Sequence, residues 1–287
     1  MALTDRPPAP SRGRELGSGS ANSLLLTVLG EFVLPGDRPV WTSTLIALFR
    51  ELGVEEKALR QALMRTADAG WIEGDRLGRR TRWHLSDAGR RLLTEGTARI
   101  YGFHGPPEHW DRTWLLLLVT VPENNRAVRA KLRTRLGWAG FGELPQGLWL
   151  RPHTGQVDAT EPLEEVQGVL RDLGLDGYAH SFVACSGELG TDRDLVRRAW
   201  DLDAIEERYE QFLDQLGPIR PRTDRQALVS QVRLVQEWRR FPLLDPGLPR
   251  ELLPRTWSGA RAVELFTKRH AAWAPRAAAA WAELSND

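Results

Sequence analysis

The chain has 287 residues, of which 41% are hydrophobic and 27% are charged. At roughly 100–200 residues per domain this length predicts two or three domains, and the composition argues against a disordered chain. The most apolar run, Trp114–Val119, is far shorter than the roughly 20 residues that a membrane helix needs, and the N-terminus has no secretion signal. We therefore expect a cytoplasmic protein without a membrane partner.

Total charge does not identify a partner. The 39 basic residues, all but three of them arginine, are balanced by 38 acidic residues, so the net charge is +1. Such an arginine excess is typical of a GC-rich genome, and any binding argument must depend on where the arginines lie. The single cysteine, Cys185, excludes an internal disulfide framework and a cysteine-based zinc site, and we expect its side chain to be buried.

The N-terminal third has the pattern of a small DNA-binding domain. Residues 1–21 are rich in Pro, Gly, Ser and Arg, which predicts a disordered tail. Three stretches of helical periodicity follow, beginning near residues 23, 43 and 56, and Gly53 ends the second. Two short strands around a glycine-containing turn and a fourth helix after Ser86 complete the segment. This order predicts a winged helix-turn-helix domain over residues 22–101.

The rest of the chain predicts two further domains after a linker at residues 102–112. Residues 113–187 alternate in the order β-α-β-β-α-β, which is typical of a ferredoxin-like domain, and residues 188–287 are predicted to be mainly helical. The fold class is therefore α+β. The predicted elements are a strand at Trp114–Val121, a helix at Asn125–Leu136, a strand pair at Phe141–Arg151, a helix at Glu161–Leu173, a strand at Tyr178–Ala184, and helices at Leu195–Leu216, Arg225–Arg239 and Gly259–Leu284. The segment Phe241–Pro249 is too proline-rich for a helix.

The third helix and the hairpin concentrate positive charge. Between Lys57 and Arg99 there are ten basic and five acidic residues. The apolar face of the third helix leaves its arginines and glutamine on the outside, where they can pair with guanine and adenine in a major groove. Arginines at the hairpin tip suit phosphates or a minor groove, and the start of the second helix suits a phosphate. The predicted DNA-binding residues are Thr42, Ser43, Lys57, Arg60, Gln61, Met64, Arg65, Arg79, Arg80 and Arg82.

Each basic residue taken singly is better explained as a solvated side chain of an arginine-rich protein. The arrangement as a whole favours DNA binding, because the charges and the predicted architecture coincide.

No enzyme motif is present. The six histidines show neither H-x-x-x-H nor H-E-x-x-H spacing, and the glycine patterns of hydrolase elbows, phosphate loops and dinucleotide folds are absent. We therefore expect no catalytic residues, no metal and no cofactor.

Several motifs together resemble the PaaX family of transcriptional repressors of phenylacetic acid degradation. The resemblance covers about residues 23–285. The motifs that carry it are Leu59–Arg65, Gly70–Ile72, Gly78–Thr81, Trp114–Glu123, Gly140–Leu144, Trp200–Leu202, Asp245–Pro249 and Leu252–Pro254.

The resemblance implies a winged-helix DNA reader, a middle domain similar to the small CRISPR-associated Cas-two nucleases, and a helical C-terminal domain. It also implies a homodimer that binds a double-stranded operator and is released by phenylacetyl-CoA or a related acyl-CoA. Such an effector needs arginines for its phosphates and an aromatic platform for its adenine. Candidate effector-binding residues are Trp149, Arg151, Trp238, Arg239 and Arg240, although packing in the core is the more economical explanation of Trp149.

Two rival functions stay open. The first is a Cas-two-like, metal-dependent nuclease. It is disfavoured because Thr120 stands where those nucleases place a metal-binding aspartate at the end of the first strand. The second is an architectural DNA-binding protein that uses the same domain without responding to an effector.

Overall fold

The computed structural model describes residues 20–107, 109–122, 125–153 and 160–286. The predicted tail at residues 1–21 therefore lies almost wholly outside the described residues. The chain forms two compact units. The first unit comprises residues up to Phe103 together with Phe212–Arg240 and Val263–Asp287, and the second comprises His104–Gln211 and Phe241–Ala262.

The first unit opens with the predicted order of three helices and a hairpin. Helix α1 (Ala21–Val28) begins two residues before the predicted start near residue 23, because the Ser20 hydroxyl caps it by accepting a hydrogen bond from the Ser23 N–H at 3.2 Å. A π-helical turn, Leu29–Val33, continues it. The elements of this part are α1 (Ala21–Val28), β1 (Val40–Trp41), α2 (Thr42–Glu51), α3 (Glu56–Asp68), β2 (Ile72–Leu77), β3 (Arg80–Leu85) and α4 (Asp87–Tyr101).

The hairpin belongs to a three-stranded antiparallel sheet in the order β1-β3-β2. Strand β1 was not predicted, because two residues are too few to show a period. Gly78 opens the two-residue turn with a φ of 63°, the left-handed conformation that such tight turns require at this position. At the base of the hairpin, a Cβ on Gly89 would lie 1.9 Å from the carbonyl oxygen of Trp71, so only glycine lets α4 approach the hairpin this closely.

Residues distant in sequence build the core of the first unit. The inner faces of α1, α2 and α3 pack on side chains from the C-terminal helices, including Leu228, Val232 and Ala277. The bounds of the remaining helices that contribute to this unit are α8 (Leu202–Leu216), α9 (Asp224–Trp238) and α11 (Gly259–Asn286).

The second unit contains the predicted ferredoxin-like fold. Its antiparallel sheet has the order β5-β6-β4-β7, and β4 pairs with both β6 and β7. One face of the sheet is covered by the two helices, with Leu115, Leu117 and Trp149 packed against Leu136 and Val166. The elements are β4 (Thr113–Val119), α5 (Arg126–Trp138), β5 (Gly142–Leu144), β6 (Leu148–Pro152), α6 (Thr160–Asp172), β7 (Ala179–Cys185), α7 (Asp192–Ala199) and α10 (Phe241–Leu244).

Two predictions about the helices were wrong. The helix predicted over residues 195–216 is two helices, because Trp200 is extended (φ −130°, ψ 150°) and stacks on Trp114 with ring centroids 6.4 Å apart. The single turn α10 lies in the segment judged too proline-rich for a helix, and it tolerates Pro242 because proline fits the first turn.

Cys185 was predicted to be buried, but its side chain is exposed. The cause is its position on β7, which has a neighbouring strand on one side only among the described residues.

The boundaries predicted for three domains stay a prediction. The residues assigned to a separate C-terminal domain, 188–287, contribute to both compact units. Among the described residues, no helix combines the length and the hydropathy needed to span a membrane.

Candidate nucleic-acid interface

Helix α3 has one buried face and one exposed face. Leu59, Ala62, Leu63 and Thr66 are buried at helical spacing, as the sequence predicts. The opposite face borders a shallow open groove of about 750 Å³. Its lining residues are Glu56, Lys57, Arg60, Gln61, Met64 and Arg65. All the residues of α3 that the sequence proposed for DNA contact therefore share this exposed face.

The groove contains an acidic residue that the sequence analysis did not assign. The Arg60 guanidinium approaches the Glu56 carboxylate at 2.7 Å, an ion pair between residues four apart. Both side chains are about half exposed, so the pair contributes little to stability. Its effect is to hold the guanidinium over the first turns of the helix. The i, i+4 spacing of Glu56 and Arg60 was the signal that could have revealed it.

The hairpin arginines differ in how firmly they are held. Arg79, in the turn, is exposed. The Arg80 guanidinium lies 4.5 Å from the centre of the Trp41 ring, so the aromatic face of β1 supports it. Arg82 pairs with Asp75 at 3.2 Å, and these two residues are directly opposite each other in the β2–β3 register. Neither Trp41 nor Asp75 was assigned a role from the sequence, because cross-strand neighbours appear only once the register is known.

The two candidates at the start of α2 are placed differently. The Thr42 hydroxyl accepts a hydrogen bond from the Trp83 indole N–H at 3.0 Å and donates one to the Thr81 carbonyl, also at 3.0 Å. Its oxygen thus ties α2 to the hairpin. Ser43, the next residue, is exposed.

Nine of the ten proposed DNA-contact residues are therefore accessible in the first unit. They lie on α3, on the hairpin or at the start of α2. The tenth, Thr42, has its hydroxyl engaged within the fold. Their role in DNA contact stays a prediction.

The first pair of proposed effector residues is in the interior of the second unit. Trp149 is buried in the core between the sheet and its helices. The Arg151 guanidinium donates to the Ala139 carbonyl at 3.0 Å and lies over the Phe141 ring, and burial lowers the pKa of this guanidinium.

The second group of proposed effector residues lies around the end of α9. Trp238 is fully buried, stacked on Phe266 at 4.5 Å, and its indole N–H donates to the Ile100 carbonyl at 3.3 Å. Arg239 donates to the Ser23 carbonyl at 2.9 Å and to the Thr27 hydroxyl at 3.0 Å, and burial lowers the pKa of its guanidinium.

Arg240, the last of this group, pairs with Glu237 at 2.7 Å and keeps a fifth of its side chain exposed. Trp149 and Arg151 belong to the second unit, whereas Trp238, Arg239 and Arg240 belong to the first.

No cluster of three or more potential metal ligands occurs within the part of the chain that the structure describes. Thr120, the residue that follows β4, is exposed, and its backbone N–H donates to the Tyr178 carbonyl at 2.9 Å.

Three family models match consecutive parts of the chain. They are described as the PaaX-like protein (residues 20–89), the PaaX protein central Cas2-like domain (residues 107–196) and the PaaX-like protein C-terminal domain (residues 200–283). The chain is 31% identical over 271 residues to the transcriptional repressor PaaX of Escherichia coli strain K12. The aligned region covers 91% of this chain and 82% of that relative.

The chain belongs to the PaaX family. The resemblance inferred from the sequence motifs is thereby confirmed, as are a Cas2-like central region and a PaaX-type C-terminal region. A solved structure, that of the uncharacterized protein Rv0674 from Mycobacterium tuberculosis, is similar over 91% of this chain and 99% of its own, with a TM-score of 0.60 and 28% identity. PaaX-family similarity therefore extends across both compact units.

Proposed function

We propose that this PaaX-family protein is a transcriptional repressor whose first unit reads operator DNA through a winged helix-turn-helix formed by its N-terminal segment. The observation that carries the proposal is the exposed face of α3, where Arg60 and Gln61 stand side by side above a buried apolar face. The relative from Escherichia coli is named a transcriptional repressor, which supports the same function.

The residues on α3 suit the edges of bases. A B-DNA major groove is about 12 Å wide and admits an α-helix. Arg60 can donate two hydrogen bonds to guanine, Gln61 can pair with adenine, and the Glu56 carboxylate can accept from cytosine. Met64 offers an apolar contact for a thymine methyl group. Since Glu56 already holds Arg60, the guanidinium is pre-positioned at the helix surface before DNA arrives.

The hairpin suits the DNA backbone. Arg79 and Arg80 are exposed around the turn, and neither the turn nor the adjoining strand ends carry an acidic residue between Leu77 and Leu85. Arginines in this position neutralise phosphates without reading sequence, which makes the affinity dependent on salt. In this proposal the hairpin supplies affinity and α3 supplies specificity.

The operator arrangement follows from two-fold symmetry. A homodimer would place two copies of α3 on half-sites separated by whole helical turns of about 10–10.5 base pairs. We also propose that phenylacetyl-CoA or a related acyl-CoA releases the DNA, which is what the family resemblance implies. Because Trp149, Trp238, Arg151 and Arg239 are engaged inside the fold, their contact with an effector would require those contacts to open.

Selection of bound duplexes from a random DNA pool tests the DNA-binding proposal. We expect enrichment of an inverted repeat with the spacing given above. Arg60→Ala and Gln61→Ala should enrich altered or degenerate half-sites, and Lys131→Ala, a change of an exposed residue on α5, should enrich the parent sequence. A pool that stays random with the parent protein would refute sequence-specific recognition.

Titration of the protein–DNA complex with phenylacetyl-CoA tests the effector. We expect release of the enriched duplex by phenylacetyl-CoA and no release by free coenzyme A or by phenylacetate alone. Release by none of the three, with sequence-specific binding intact, would support the architectural alternative and reject this ligand.

A further inference from the structure

The three-stranded sheet of the first unit has an inner face and an outer face. Residues directly opposite each other project from the same face of a sheet, and successive residues of a strand alternate between the two faces. Val40 and Leu85 are buried and share the inner face. The outer face carries Trp41 from β1, Asp75 from β2, and Arg80 and Arg82 from β3. The three strands thus bring one aromatic ring, one carboxylate and two guanidiniums onto one surface.

Both arginines of β3 are within reach of the Trp41 ring. Arg82 is the direct cross-strand neighbour of Trp41, and Arg80 is the diagonal neighbour two residues along the strand. Long side chains can make either kind of contact. The Arg80 guanidinium lies over the ring, 4.5 Å from its centre. The Arg82 Nε–H instead donates to the Asp75 carboxylate at 3.2 Å. Asp75 therefore draws Arg82 away and leaves the ring to Arg80.

The two contacts differ in their effect on charge. The Asp75 carboxylate compensates the charge of Arg82, with which it forms an ion pair. An aromatic ring has no net charge and holds a guanidinium through its quadrupole, so this contact leaves the positive charge of Arg80 intact. A phosphate that approached Arg82 would have to compete with Asp75 and would be repelled by it. The ring under Arg80 repels no phosphate.

Trp41 is itself fixed to β3 through the residue that follows it. The Thr42 hydroxyl accepts a hydrogen bond from the Trp83 indole N–H and donates one to the Thr81 carbonyl, both at 3.0 Å. The Trp83 ring packs so closely on Gly74 that a Cβ there would lie 2.9 Å from it. The support of Arg80 is therefore in place before any ligand arrives. A side chain that is held in its bound position loses less conformational entropy on binding.

We propose that Trp41 is a positioning residue for DNA binding, which holds the Arg80 guanidinium ready to contact a phosphate of the DNA backbone, while Asp75 withholds Arg82 from that role. A guanidinium that donates to phosphate oxygens recognises the backbone whatever the sequence. The inference rests on the proposed function, in which the hairpin binds the backbone. It adds which arginine of β3 makes the contact and which residue holds that arginine.

A double-mutant cycle on the full-length chain tests the role of Trp41. Trp41→Leu should lower the affinity for the enriched duplex about 2- to 5-fold, the value of an exposed cation–π contact, and should reduce the salt dependence of binding. The same change in an Arg80→Ala protein should have no further effect, because no guanidinium remains to be positioned. Trp41→Phe keeps a ring and should retain most of the parent affinity. Equal losses from Trp41→Leu with and without Arg80 would overturn the proposal, since Trp41 would then act only through the fold.

Two measurements accompany the cycle. Trp138→Leu removes another tryptophan, which is 37% exposed in the second unit, and should bind DNA like the parent. In the protein without DNA, the side-chain protons of Arg80 should show a ring-current shift in their NMR spectrum, and Trp41→Leu should abolish it. An Arg80 spectrum that is the same in both proteins would contradict the positioning role.

The role of Asp75 is tested with Trp41 in place. Asp75→Asn should raise the affinity for all duplexes about 2- to 5-fold, because it releases Arg82 from an exposed ion pair. Addition of Arg82→Ala should remove this gain. The matched control is Glu73→Gln, which removes a carboxylate from the same face, opposite His84, and changes the net charge equally. A gain as large from Glu73→Gln as from Asp75→Asn would overturn the assignment, since Asp75 would then act only through net charge.

These measurements separate this proposal from the proposed function. Failure of the parent protein to select or bind any duplex would refute the repressor function. Sequence-specific binding by the parent, with additive effects of Trp41→Leu and Arg80→Ala, would overturn the positioning role alone.

Discussion

The exposed arginines of α3 and the hairpin contrast with the interior arginines 151 and 239. Those of the first group lie at the surface, where some contact neighbouring side chains, as Arg60 does with Glu56 and Arg80 does with Trp41. Those of the second group donate to backbone carbonyls inside the fold, and burial lowers the pKa of both guanidiniums. Arginine, which suits phosphates at a surface, therefore also donates hydrogen bonds to carbonyl groups in the interior of this protein.

The two groups of arginines can be distinguished by measuring the free energy of unfolding and the affinity for DNA. Substitution in the interior group should change the free energy of unfolding, whereas substitution in the exposed group should change DNA binding and leave unfolding almost unaffected. An interior residue whose substitution changed only DNA binding, or an exposed residue whose substitution changed unfolding, would contradict this distinction.

The largest effect is expected at Trp238. Replacement by alanine removes a fully buried indole that stacks on Phe266, and should lower the free energy of unfolding by about 3–5 kcal/mol. Trp138, which is 37% exposed, is the matched control, and its replacement by alanine should cost clearly less. Urea denaturation followed by circular dichroism measures both. Equal losses would show that Trp238 is not an anchor of the interior.

The next largest effect is expected from substitution of Arg239, again on the free energy of unfolding. Arg239→Met keeps the length of the side chain but leaves the Ser23 carbonyl without its guanidinium donor, which should cost about 1–3 kcal/mol of unfolding free energy. Arg79→Met, at the hairpin turn, should stay within about 0.5 kcal/mol of the parent. A stability for Arg239→Met equal to that of the parent would place Arg239 with the exposed group.

Changes on α3 should appear in DNA affinity and specificity. Arg60→Ala or Gln61→Ala is expected to cost about 1–3 kcal/mol of binding free energy on the best operator and to relax the preference at the contacted base. Fluorescence anisotropy with the parent operator and its single-base variants measures this, with unfolding followed in parallel. If these variants weaken binding to every duplex equally, α3 contacts backbone and not bases.

The smallest effect is expected at the hairpin turn. Arg79→Ala and Arg80→Ala should weaken binding to all duplexes alike and reduce the slope of log affinity against log salt by about 0.9 for each phosphate that the variant no longer neutralises. The affinity of Lys131→Ala should have the parent slope. An unchanged slope in both hairpin variants would show that the hairpin does not bind phosphates.

Much of the local structure was predictable because it depends on local periodicity. The exposed face of α3 follows from apolar residues at helical spacing, and the hairpin follows from Gly78 between two short strands. The ferredoxin-like order was recognisable from the apolar strand β4 and the elements after it. The break at Trp200 was not recognisable, since its extended backbone accompanies stacking on Trp114, which is distant in sequence.

The candidate binding residues were likewise predicted correctly where local structure determines exposure, and incorrectly where distant segments determine burial. Those on α3 and the hairpin were identified correctly as exposed, because one helical face or one turn determines their exposure. Trp238 and Arg239 were grouped as ligand contacts on chemistry alone, and Cys185 was placed inside because it follows an apolar strand. In these cases burial depends on which distant segment packs over the residue.

By itself, the sequence determined the family and the order of helices and strands. It also showed that positive charge is concentrated on α3 and the hairpin, although the net charge of the chain is only +1. The tertiary structure decided which arginines and tryptophans became interior, which acids hold the exposed arginines, and that the Trp41 ring supports Arg80. The physical reason is that periodicity and local charge are properties of neighbouring residues. Burial and strand pairing are set by contacts that join residues far apart in the chain.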